Sequence, residues 1–166
     1  MKYLTLIRHA KSDWSVSGQK DIDRELNLRG KRDAPKMGMK LNELNLKPGK
    51  IYISPSARTK ETSGFLVEQL EYPLGEVNIV DELYEASVGS LLEFVNQLDD
   101  QFHDVAIIGH NPSITYLAEY LTGEEIGNVP TCGTIRMKVD LPEWQMISKD
   151  TADLIYFVYP KMFESE

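Results

Sequence analysis

Three short stretches of the chain carry residue types that can hold and transfer an oxyanion. Arg8-His9-Ala10 follows the β-prone run Tyr3-Leu4-Thr5-Leu6-Ile7, Ser54-Pro55-Ser56-Ala57-Arg58 follows Lys50-Ile51-Tyr52-Ile53, and Gly109-His110-Asn111 follows Val105-Ala106-Ile107-Ile108. Arginine forks supply bidentate donors to phosphate, and helix N-termini add backbone N–H groups and a favourable dipole, so two arginines and two histidines gathered together suit a phosphoryl group better than a carboxylate. A histidine among those donors can attack phosphorus with one ring nitrogen if an acceptor keeps the other protonated. His9 would then carry the phosphoryl group for half of a cycle. That chemistry calls for no metal and no other cofactor, because positioned cationic donors can stabilise the charge on the transferring group. A lone histidine at a strand end is more often structural; the company of Arg8, Arg58 and His110 turns the reading of His9 towards chemistry.

For these residues to meet, the elements before them must lie side by side. The sequence alternates short apolar runs with amphipathic stretches. A helix is expected from an Asn27 cap to about Leu44, with Met37, Leu41 and Leu44 on one face and with a kink or a late start at Pro35. A second helix follows Ser56, with Phe65, Leu66 and Leu70 on one face. Glu76 to Val80 reads as a strand, and Val88, Leu91, Leu92, Val95 and Leu98 mark a third helix. A fourth runs to Leu121, with Asn111 expected as N-cap and Pro112 as first helical residue. Two further strands are expected near Thr134 to Val139 and Leu154 to Val158. Such alternation predicts a three-layer α/β/α sandwich with a mostly parallel central sheet, whose ligands bind beyond the carboxyl ends of the strands.

Composition sets the outer limits. The chain has 166 residues, and residues 1–166 are expected to form a single domain with a core large enough to need no disulfide or metal. Cys132 is the only cysteine, no apolar run is long enough for a membrane span, and the N-terminus lacks a signal-peptide pattern. A cytoplasmic protein with no membrane or nucleic-acid partner is expected. The net charge of −8 first argues against phosphorylated partners as well. Residues 1–60, however, hold 14 Lys and Arg against 6 Asp and Glu, whereas residues 61–166 hold 4 against 20. The chain total therefore hides a basic segment that contains Arg8, His9 and Arg58.

Leu6-Ile7-Arg8-His9-Ala10-Lys11-Ser12 resembles the arginine-histidine-glycine signature of the histidine phosphatase superfamily. Ser54-Pro55-Ser56-Ala57-Arg58-Thr59-Lys60-Glu61-Thr62 is similar to its second block, and Gly109-His110-Asn111-Pro112 to its third. The stretch Asp23 to Gly30 and the short length are most similar to the SixA-like phosphohistidine phosphatase branch. All four blocks occur in order and span most of the chain. The resemblance implies a phosphoglycerate mutase-like fold and a metal-independent phosphatase. It also implies that His9 accepts the phosphoryl group while Arg8, Arg58 and His110 bind it. For the general acid it points to Glu85 in Leu83-Tyr84-Glu85, with Glu82 or no acid at all as alternatives.

Ala10 departs from the glycine usual after the histidine, and Ser15 from the asparagine that mutases often carry. The second departure, with the lack of room for insertions that recognise phosphoglycerate, favours hydrolysis. Mutase-type transfer and a non-catalytic phosphate-recognition module remain the alternative readings. The expected partner is a phosphorylated protein, with phosphohistidine among the candidates, or a small phosphate ester. Around the site, Lys11 and Ser12 could touch the phosphoryl group or hold the loop. Asp21, Asp23 and Arg24 suit a loop salt bridge or a cap better than substrate steering. Trp14 and Trp144 suit the core edge better than the cleft, and His103 reads as a solvated loop residue.

Overall fold

The computed structural model describes residues 1–164. Among them β1 (Lys2–Arg8), α1 (Leu28–Glu43), β2 (Lys50–Ile53), α2 (Ala57–Leu70), β3 (Asn78–Ile79) and α3 (Val88–Asn96) follow in order. Then come β4 (Asp104–Gly109), α4 (Ser113–Thr122), β5 (Thr134–Val139) and β6 (Ala152–Val158). The strands form one sheet in the order β3-β2-β4-β1-β5-β6. β1, β2, β3 and β4 pair in parallel, while β5 runs antiparallel to both β1 and β6, so β5 alone is reversed.

Side chains alternate across each strand, and that alternation separates two apolar layers. Leu4 and Leu6 of β1 with Val105 and Ile107 of β4 face α3 and α4, through Leu91, Val95, Ile114, Leu117 and Leu121. Ile7, Ala106 and Ile108 face the other way, towards Ala34, Met37 and Leu41 of α1 and Leu66 and Val67 of α2. Helices thus cover both faces of a mostly parallel sheet, as the sequence predicts.

Several local expectations are corrected. α1 starts at Leu28 and runs unbroken with Pro35 inside it, rather than starting late. The Asn27 side chain accepts the Gly30 N–H at 2.9 Å, and buried Ala34, Met37 and Leu41 hold the helix on both sides of the proline. Asn111 is not the N-cap of α4 and Pro112 is not its first helical residue: Pro112 is the cap, and Ser113 opens the helix. Asn111 still serves the first turn, since its Oδ1 accepts from the Thr115 hydroxyl at 2.9 Å and more weakly from the Thr115 N–H. The strand expected over 76–80 shrinks to Asn78–Ile79, because Leu74–Glu76 and Asp81–Leu83 wind into 3₁₀ turns around it. Leu98 lies beyond the end of α3 but stays in the core.

Candidate active site

Strand register assembles the site. Arg8 of β1 is the partner of Gly109 of β4, and Ile53 of β2 is the partner of Ile108. His9 and His110 therefore leave neighbouring parallel strands at one level, with Ser54 on the third strand within one residue of it, and the backbone pins them there. The His9 N–H donates to the Gly109 carbonyl at 3.1 Å, and the Ser54 N–H to the Ile108 carbonyl at 3.2 Å. Arg58 joins from the first turn of α2, which the Ser56 side chain caps through the Thr59 N–H. The sequence-predicted Arg8, His9, Arg58 and His110 are thus brought to one edge of the sheet.

His9 is nearly buried, and its Nδ1 lies 2.7 Å from the Ala10 carbonyl oxygen. A carbonyl can only accept, so Nδ1 carries the proton and the lone pair is left on Nε2. Burial keeps the ring neutral, and with His110, Arg58 and Arg8 close by it pushes the pKa down to about 3. Ala10, where the superfamily signature has glycine, is itself fixed, its N–H donating to Thr62 Oγ1 at 2.9 Å.

The His110 ring lies 5.2 Å from that of His9, and its Nε2 is 2.8 Å from Ser54 Oγ. Ser54 is fully buried, and its oxygen accepts from the Ser56 N–H at 3.3 Å. Among the described residues, the His110 nitrogen is the acceptor within reach of the Ser54 hydroxyl hydrogen. Ser54 therefore donates to Nε2, and Nδ1–H of His110 is left to donate elsewhere. Burial, then Arg58, lowers the His110 pKa to about 4. In the sequence Ser54 reads only as a residue connecting β2 to Arg58. Its place one residue beyond β2, level with Gly109 at the end of β4 and so next to His110, is the available signal.

Both arginines keep spare donors. Arg8 spends one terminal nitrogen on the Val129 carbonyl at 3.1 Å. Arg58 donates to the Asp21 backbone carbonyl at 2.8 Å and to Asp21 Oδ2 at 3.1 Å. The Nε atoms of Arg8, Arg58 and Arg24 are buried without a partner among the described residues. Orphaned guanidinium N–H groups at a strand-end rim are what an oxyanion would satisfy.

Asp21, Asp23 and Arg24 divide as follows. Asp21 and Arg24 form the expected loop salt bridge at 2.9 Å, but Asp21 also meets Arg58 and Tyr84, whereas Asp23 stays exposed. Arg24 donates to the Ser12 hydroxyl and lies 3.5 Å above the ring of Trp14. Ser12 bridges to Leu26, so it holds the loop. Glu85 and Glu82 are both exposed, and Glu85 adopts a left-handed backbone (φ 56°). The neighbouring Tyr84 turns inward instead, its ring 5.6 Å from that of His110 and edge-on to it. Trp14 is 72% exposed rather than at the core edge. Trp144 is fully buried and lies over Lys2, at the start of β1 and so at the opposite end of that strand from His9. His103 is exposed, as expected.

A cavity of about 700 Å³ lies between α1 and the Pro160–Phe163 turn. Its lining includes Arg32, Lys36 and Phe163 but no histidine, so the chemistry is assigned to the strand ends. Among the described residues, no three His, Cys, Asp or Glu side chains group as a metal-ligand set, and no helix is long and apolar enough to cross a membrane.

The sequence profile of the histidine phosphatase superfamily, branch 1, matches residues 4–97. A Mycobacterium leprae protein is 28% identical over 167 residues, covering 93% of this chain and 100% of its own. The fold is shared with SixA from Agrobacterium tumefaciens, with TM-score 0.83 and 24% identity over 96% of this chain and 98% of that one. It is equally shared with the protein histidine phosphatase SixA complexed with tungstate, with TM-score 0.83 and 19% identity over 98% and 99% of the two chains.

Proposed function

The chain belongs to the histidine phosphatase superfamily (branch 1) and is a phosphatase by that membership; from that premise we propose that it works in two steps through a covalent phosphohistidine on His9. The observation that carries this reading is the His9 Nδ1–Ala10 carbonyl hydrogen bond of 2.7 Å, which leaves a neutral ring with its lone pair on Nε2. In the first step that lone pair attacks phosphorus, a P–N bond forms, and the bond to the leaving group breaks with its electron pair going to the leaving atom. In the second, a water oxygen attacks the phosphoryl group, the P–N bond breaks with its pair returning to Nε2, and inorganic phosphate leaves. Arg8, Arg58 and the Nδ1–H of His110 hold the phosphoryl oxygens in both steps, so positioned donors supply the charge stabilisation without a metal.

Glu85 is the proposed donor of the proton to the leaving atom; its support is its place beside Tyr84, which touches His110. A SixA-like phosphohistidine phosphatase is the narrower form of the proposal. Its support is the sequence resemblance and a fold shared over nearly the full length of both chains. The partner in that reading is a phosphorylated protein, with small esters as the other candidates, and the setting is cytoplasmic, as composition and the lone Cys132 suggest. Residues 1–166 are taken as one catalytic domain.

The test is turnover of an aryl phosphate in metal-free buffer, with labelled phosphoryl trapped by an alkaline quench. Wild type is expected to turn over and to trap label, and His9→Ala, still folded by circular dichroism, to do neither. Retained turnover in His9→Ala would sink the mechanism.

A further inference from the structure

One carboxylate stands where a phosphoryl site would be expected to exclude it. Asp21, in a 3₁₀ turn (Asp21–Asp23) of the segment between β1 and α1, receives four hydrogen bonds from three side chains. Its backbone carbonyl and Oδ2 each take one from Arg58, at 2.8 and 3.1 Å. Oδ2 also accepts the Tyr84 hydroxyl at 2.6 Å, and Oδ1 accepts Arg24 at 2.9 Å. Tyr84 foremost, then Arg24 and Arg58, hold the carboxyl well below the usual carboxylate range, so Asp21 is ionised wherever the protein is folded at neutral pH.

This arrangement does two things. It fixes the plane of the Arg58 guanidinium through one hydrogen from each terminal nitrogen, leaving the other N–H groups, the unpartnered Nε among them, for an anion. It also places a negative charge between that guanidinium and solvent, since the Asp21 side chain is 47% exposed and that of Arg58 only 6%. A substituent attached to a phosphoryl group held by buried Arg58 extends towards solvent, on the side of the guanidinium where that charge stands.

We infer that Asp21 is a positioning residue for Arg58 and the residue that discriminates against substrates carrying a further negative charge beside the phosphoryl group. The inference rests on the reading of Arg58 as a phosphoryl-binding residue. A loop brace alone would support the binding of every phosphoryl compound alike. A fixed carboxylate instead weakens the binding of a carboxylate-bearing ligand more than that of one without the extra charge, by about tenfold for unit charges about 12 Å apart near a protein surface.

Two phosphonates that cannot be hydrolysed separate these cases: methylphosphonate, and phosphonoacetate, which adds one carboxylate. Their dissociation constants are measured by calorimetry on wild type, Asp21→Asn, Asp21→Glu and Tyr84→Phe. Asp21→Asn keeps the size and an acceptor oxygen but loses the charge, and is expected to shift the ratio of the two constants about tenfold in favour of phosphonoacetate. Asp21→Glu restores the wild-type ratio, and Tyr84→Phe, which removes a donor but keeps the charge, leaves it in place. A ratio unchanged in Asp21→Asn, or equal changes in both affinities, overturns the inference. Because these ligands are bound and not turned over, the result is independent of whether His9 forms a covalent intermediate.

Discussion

The rings of His9 and His110 lie 5.2 Å apart, tilted by 56°, because each follows one member of the Arg8–Gly109 pair on neighbouring parallel strands. Both rings are held neutral by burial among arginines, yet they are tied to different acceptors and donors. His9 gives its Nδ1 hydrogen to a carbonyl, whereas His110 receives a hydroxyl hydrogen at Nε2. In the proposed cycle the first ring attacks and the second donates.

Replacing Ser54 by Ala removes the group that sets the His110 tautomer. The kcat/KM for an aryl phosphate is expected to fall by about tenfold or more, with a stability loss of only about 1–2 kcal/mol from one buried hydrogen bond. Steady-state kinetics beside thermal unfolding checks this; full activity in Ser54→Ala would show that the tautomer is set some other way.

The buried imidazoles also make stability depend on pH. For His9 the folded pKa, about 3, lies below the ordinary 6.5, so the unfolded chain binds the extra proton. That contribution to stability is complete above about pH 6.5 and is lost as the pH falls towards 3, at no more than about 1.4 kcal/mol per unit. The urea midpoint of wild type should therefore drop between pH 6.5 and 4.5 more steeply than that of His9→Gln. Equal slopes would mean that His9 is charged in the folded protein.

Gly30 is required by a close approach: a Cβ there would stand 2.1 Å from the Lys11 carbonyl oxygen. Backbone cannot yield as a side-chain tip can, so Gly30→Ala should cost about 1–3 kcal/mol and displace the segment that follows His9. Thermal unfolding and kcat are expected to fall together. An active variant of wild-type stability would count against this packing.

Glu85→Gln tests the proton donor through the leaving group. If Glu85 acts as proposed, the variant should lose about 10²-fold or more on an alkyl phosphate and little on an activated aryl phosphate or a phosphoramidate, whose leaving groups need less help. A uniform effect on all three would remove Glu85 from that role.

The arrival of Arg8, His9, Arg58 and His110 at one rim is legible in the sequence, because apolar runs of strand length fix where strands end, and a parallel sheet brings those ends to one edge. The capping of α1 by Asn27 is readable for a similar reason, since a cap is a contact three residues long. Pro35 misled because its local cost is outweighed by the burial of the face around it. Asp21 was different. Its partners Arg58 and Tyr84 stand 37 and 63 residues away, and no spacing rule links a turn in one loop to a helix start and a second turn. The sequence by itself determined which groups arrive at the rim and on which strands. Only the tertiary structure decided what each one faces there: the proton on His9 held by its neighbour's carbonyl, the ring of His110 held by Ser54, and the plane of Arg58 held by Asp21. Periodicity encodes burial along one element, whereas hydrogen bonds between loops depend on packing that brings distant segments within 3 Å.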